Sequence, residues 1–198
     1  MFKKTVAFAA LVILSQISNA TPISNSTSGL TSPAVTITFD EHVLPVQSAV
    51  TNEYSDLGVI FSPNLYYSSQ TGFPNITGNT VTNFGIGSSV FQFSINFVAD
   101  QTSAAFAMVS NSSSWLFEAL LNNSVVESFS ATVDTSSANF FGFTGIAFDE
   151  IRYTSAPDFM IIDNLQLGTA NNVPEPASLA LVGLGIAGLG FARRRQRS

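Results

Sequence analysis

The chain has 198 residues, no cysteine, and 13 acidic against 7 basic side chains, for a net charge of −6. Its charges are unevenly placed: between Thr21 and Asn172 twelve acids face one base, Arg152, a net −11. That surface repels phosphate backbones and speaks against nucleic-acid binding, and the missing cysteines exclude disulfide staples, thiol catalysis and cysteine-ligated zinc.

In chain order, residues 1–20 begin with Lys3 and Lys4, continue with an apolar run from Val6 to Leu14, and end Ser18-Asn19-Ala20. Small side chains at Ser18 and Ala20 suit a signal peptidase, so the segment reads as a signal peptide cleaved after Ala20. The implied partners are the Sec export machinery and signal peptidase. Residues 21–34 are rich in Ser, Thr and Asn without an apolar period, and read as a flexible leader.

Residues 35–168 change to a period of two. "VTITF" (Val35 to Phe39) alternates, and "GVIFS" (Gly58 to Ser62) is a short apolar run. In "VFQFSINFV", Phe91, Phe93, Ile95 and Phe97 share one face, and Gln92, Ser94 and Asn96 the other. Strict alternation of this kind predicts half-buried antiparallel strands. Further strands are predicted at 104–109, 115–121, 125–131, 139–143, 146–153 and 159–167. Turn-rich separators such as "GFPN", "SNSSS" and "SAPD" divide them. The expectation is an all-β fold, a single jelly-roll or β-sandwich domain of about 130–150 residues, large enough to bury one core.

Residues 169–172 read as a linker. In residues 173–198, Pro174-Glu175-Pro176 precedes an apolar run, Ala177 to Ala192, and then Arg193, Arg194, Arg195 and Arg197. Sixteen residues of helix span about 24 Å, under the roughly 30 Å of a hydrocarbon core. The arginines would hold the cytoplasmic end. This order of proline pair, transmembrane helix and arginine cluster resembles a PEP-CTERM sorting signal. The resemblance implies an exosortase-type membrane processing enzyme as partner. It also implies transient membrane anchoring and delivery to the cell surface or an exopolysaccharide matrix.

The search for chemistry yields candidates but no catalytic constellation. His42 is the only histidine, and no nucleophile elbow accompanies it. The acid pairs Asp149-Glu150 and Glu118 with Glu127 lack a diagnostic context for glycoside hydrolysis. Asp40 and Glu41 close the first strand of the body and Asp163 lies in the last. If those strands pair, the carboxylates meet at one rim, where a structural Ca²⁺ would be the cofactor to consider. Tyr66, Tyr67, Phe73 and Trp115 lie in or beside turns and form a candidate aromatic platform for glycan rings, although Trp115, at the start of a strand, reads equally as core.

The body itself resembles a domain of exported bacterial proteins with such tails, through "ITFDE" (Ile37 to Glu41), "AVTNEYSDLGVIFS" (Ala49 to Ser62), "FFGFTG" (Phe140 to Gly145) and "MIIDNLQL" (Met160 to Leu167). The resemblance implies a jelly roll akin to carbohydrate-binding modules, with no single ligand. Glu41 stands where such domains often carry a second aspartate. Three functions follow: a non-catalytic matrix or surface protein binding exopolysaccharide or itself, a secreted polysaccharide hydrolase, or a purely structural surface module.

Overall fold

A computed structural model of the chain describes residues 20–84 and 91–168. The expected sorting helix, and all of the expected signal peptide except Ala20, lie outside these residues. Ten strands run β1 (Thr21–Ser26), β2 (Val35–Ile37), β3 (Val59–Phe61), β4 (Tyr66–Ser68), β5 (Thr80–Thr82), β6 (Gln92–Ser110), β7 (Ser113–Leu121), β8 (Ser124–Val133), β9 (Phe140–Ser155) and β10 (Met160–Leu167). Among the described residues the one helical piece is a 3₁₀ turn at Ser55–Leu57, and no helix is long and apolar enough to cross a membrane.

All pairings are antiparallel, and the strands form one continuous sheet in the order β4-β5-β10-β6-β9-β7-β8, with β1 on β9, β2 on β10 and β3 on β6. Two strands are long enough to serve both halves. The front of β6 (92–96) pairs with the back of β9 (150–154), while 103–107 of β6 pairs with 140–144 of β9. The ladder between these stretches shifts register at Asn96/Gln101 and Gln101/Ser103. Shifts of that kind are where a strand bends and passes from one layer to the other.

Ring contacts show the fold-over. Phe117 of β7 stacks on Phe141, at the front of β9, with centroids 4.9 Å apart. Phe106 in the back of β6 meets Tyr153 in the back of β9 at 5.6 Å, and Phe129 of β8 meets Phe143 at 5.1 Å. None of these three ring pairs is a ladder pair. They touch because the two halves of the sheet face each other, which makes the all-β body a sandwich, in agreement with the jelly-roll expectation.

Alternation accounts for which rings fill it. Phe93, Ile95 and Phe97 are buried, and Trp115, Phe117 and Ala119 do the same in β7. The back of β6 is buried on both faces. Ala104, Phe106 and Met108 enter the main core, whereas Ala107 and Val109 join Phe140 and Ile76 in a smaller outer cluster, against which Ile23, Phe73 and Ile161 pack. The β4–β5 connection therefore lies across the outside of the sheet.

Three differences from the expected elements have local causes. The leader begins with a strand, β1, whose side chains are mostly exposed, because the edge of β9 supplies its backbone partners. Strands expected separately at 91–97 and 104–109, and at 139–143 and 146–153, are continuous as β6 and β9.

Tyr153 is fully buried, and its hydroxyl has no hydrogen-bond partner among the described residues. Replacing it with Phe keeps the ring and removes an orphaned polar group. Tyr153→Phe should raise unfolding free energy by about 1 kcal/mol, measured by urea titration; a loss of that size would show the hydroxyl to be satisfied.

Candidate functional site

The residues that carry the motif resemblance turn out to hold loops. Phe39 has a left-handed backbone (φ 62°), and its carbonyl accepts hydrogen bonds from the hydroxyls of Tyr54 at 3.1 Å and Tyr67 at 3.0 Å. Tyr54 also donates to the carbonyl of His42 at 3.0 Å. Burial, with nearby Asp40 and Glu41, raises both phenols above the ordinary value, Tyr54 well above it, so they remain donors. Gly58 follows the 3₁₀ turn at φ 93°, a conformation that disfavours a side chain.

The three carboxylates considered for calcium have other partners. Asp163 is fully buried; it accepts from the Thr77 amide at 2.8 Å and from its neighbour Asn164's amide at 2.6 Å. Asp40, exposed, accepts from the Asn79 amide at 3.1 Å and from that residue's side chain. The two aspartates thus grip opposite ends of the tripeptide Thr77-Gly78-Asn79. Gly78, at φ 67°, has no room for a Cβ beside the Asp40 carboxylate. Glu41 turns back to the Thr38 amide at 2.9 Å.

The first and last strands of the body pair, β2 on β10, which sets Asp40 and Glu41 near enough to Asp163 for their charges to act on it. The three acids do not converge as a ligand set, and among the described residues no group of three His, Asp or Glu could hold a metal. Burial raises the Asp163 carboxyl to about 7, and the Asp40 and Glu41 charges add to the rise, against the opposing effect of the two amide bonds.

Asparagines complete the clamp. Asn164 (φ 49°) sits where the β10–β6 register shifts and donates to the Asn75 carbonyl at 2.8 Å. Asn75 donates to Asn139 Oδ1 at 2.7 Å, and Asn139 returns a bond to the Pro74 carbonyl at 2.7 Å. The "IIDNL" run is thereby explained: its Asp and Asn pin the 73–79 loop to the sheet.

The aromatic platform does not form as expected. Trp115 is fully buried, with its indole N–H on Ser113 Oγ at 2.8 Å, and Tyr67 is buried at the Phe39 turn. Tyr66 is half-buried on β4, opposite Thr82. Phe73, also half-buried, lines a cleft of about 100 Å³ with Val109, Ser110, Asn111, Thr135, Phe159, Met160 and Ile161.

Phe159 is 55% exposed, and Phe84, 52% exposed, meets it edge-on at 5.0 Å. At the rim, Asp158 accepts from Asn111 Nδ2 at 2.8 Å, from Ser110 Oγ at 2.9 Å and from the Phe159 amide at 2.8 Å. Burial alone would raise its carboxyl, but these hydrogen bonds, with that from Ser113, hold it below the ordinary range. Sequence reasoning missed Phe84, Phe159 and Asp158. The available signal was alternation: with Met160 and Ile162 in the core, Phe159 and Ile161 must face outward.

Among the described residues, the two acid pairs singled out in the sequence are not brought together as pairs. Glu118 lies opposite Ser128 and Glu127 opposite Ala119, so the two project from different faces. Glu150 is bound by Arg152 at 3.1 Å, Asp149 accepts from the Asn122 amide at 2.9 Å, and His42 meets Asp56 at 3.0 Å near the surface.

Residues 172–196 match the family described as the PEP-CTERM protein-sorting motif. The chain carries a PEP-CTERM sorting motif. The motif marks an exported protein, transiently anchored in the membrane and processed by an exosortase. It covers the tail and does not speak for the sandwich. No curated protein matches the chain.

Proposed function

We propose that this is a non-catalytic protein of the cell surface or exopolysaccharide matrix, whose sandwich binds extracellular glycan at the Phe159 cleft. The observation that carries the reading is the exposed pair Phe84 and Phe159 beside a cleft lined by Ser110 and Asn111, both of which are hydrogen-bonded to Asp158. Exposed apolar patches with convergent polar groups are where soluble proteins meet ligands. A sugar ring offers the matching surface, an apolar C–H face for the aromatic rings and hydroxyls for the amide and carboxylate. Export through the Sec machinery, cleavage after Ala20 and delivery to the matrix belong to the same proposal. In its support, β1 starts at Thr21.

Affinity electrophoresis of the purified protein through gels containing exopolysaccharide tests the binding. Wild type should be retarded and Phe159→Ala should migrate freely, the stacking contribution of an aromatic being about 0.5–1.5 kcal/mol beyond its buried area. Unretarded wild type with every polysaccharide offered would end the glycan reading.

One observation favours self-association instead. β8 is ten residues long, is laddered among the described residues to β7 alone, and exposes Val125 and Val126. Long open edges are templates for another strand. Sedimentation that quickens with protein concentration, without glycan, would support that reading.

A further inference from the structure

The charge around the cleft discriminates among glycans. Arg152 is the only basic residue between Thr21 and Asn172, and Glu150 holds it at 3.1 Å. Nothing basic is therefore at hand for a uronate or sulfate, and the body's net −11 repels both.

Asp158 adds a local preference. Its Oδ1 accepts two hydrogen bonds, from Asn111 and the Phe159 amide, and Oδ2 accepts one from Ser110, with a further bond to the carboxylate from Ser113. The carboxylate is only half-buried next to Phe159, and among the described residues no basic side chain pairs with it. The same bonds keep this carboxylate ionised under mildly acidic conditions. Resting on the glycan reading above, we propose that the cleft takes a cationic amino-sugar polymer, its free ammonium on Asp158 and its apolar ring face on Phe159 and Phe73. No bond is made or broken in this recognition.

The test is calorimetric titration of the purified protein with glucosamine hexamer and its fully N-acetylated counterpart, with chelator present, at about pH 5.5, where amine and carboxylate are both charged. The charged hexamer should bind about three- to tenfold tighter, as one partly shielded charged hydrogen bond allows. Asp158→Asn should abolish the preference while leaving the acetylated hexamer's affinity in place, and Phe159→Ala should weaken both.

A preference that survives Asp158→Asn would trace to diffuse charge and overturn the proposal, as would equal binding by wild type. Should Asp158→Asn fail to fold, nuclear magnetic resonance of wild type decides. The Asn111 side-chain amide and the Phe159 amide should shift with the charged hexamer, and their silence would refute the assignment. Binding of exopolysaccharide but of neither hexamer would leave the glycan reading standing and remove this inference; no binding to any glycan removes both.

Discussion

Phe117→Ala should lower unfolding free energy by about 3–5 kcal/mol, the range for truncating a buried aromatic in a packed core. Phe117 is fully buried between the layers. It lies 4.9 Å from Phe141 and 5.0 Å from its ladder partner Phe129, both nearly parallel, and 6.2 Å from Phe106. Phe141 and Phe106 belong to the opposite half of the sheet, so the ring ties the fold-over together as well as filling volume. With total stabilities of about 5–15 kcal/mol in proteins generally, a loss of this size consumes much of the margin.

The readout is urea unfolding followed by fluorescence of Trp115, the chain's single tryptophan, itself fully buried. The midpoint should fall by about 1–5 M, given slopes of about 1–3 kcal/mol per molar urea. Val126→Ala, on the exposed side of β8, is the control and should stay within about 0.5 kcal/mol of wild type. A change below 1 kcal/mol for Phe117→Ala would mean that the halves are not packed over this ring.

How legible this arrangement was depends on which physical signal each part leaves in the sequence. Phe93, Ile95 and Phe97 were legible because burying one face of a strand imposes a period of two. The continuity of β6 was not, since the polar Asp100-Gln101-Thr102-Ser103 interrupts the apolar alternation, yet the chain stays extended through a register shift. β1 left almost no trace: an edge strand needs backbone partners more than side chains, and Ile23 is its one apolar anchor.

The site divides in the same way. Asp163 within an apolar run was conspicuous, and its nearness to Asp40 followed from strand pairing. What they bind, the amides of Thr77 and Asn79, could not be read, because backbone donors have no residue type. Proximity to turns misled the choice of Tyr67 and Trp115, where strand parity decides burial, and the same parity exposes Phe159.

The second large effect is on pH. The Asp163 carboxyl is raised by burial to about 7 in the folded protein, against about 3.9 for an unfolded aspartate. Between these values the folded state holds one more proton than the unfolded state, so stability must fall as pH rises. The contribution is fully present below about pH 4, declines through the window and is gone above about pH 7, where the buried charge is carried in full. At about 1.4 kcal/mol per unit, the loss between pH 4 and 8 is on the order of 2–4 kcal/mol.

Asp134 and Asp158, both lowered by hydrogen bonds, work in the opposite sense but only below the ordinary carboxylate range, outside this window. To take the single histidine out of the comparison, both curves are measured in the His42→Gln background. Urea midpoints at pH 4.5, 6 and 8 should fall steadily for the aspartate protein and stay level for Asp163→Asn, which retains one amide acceptor but cannot ionise. Equal slopes for the two would assign the pH dependence elsewhere.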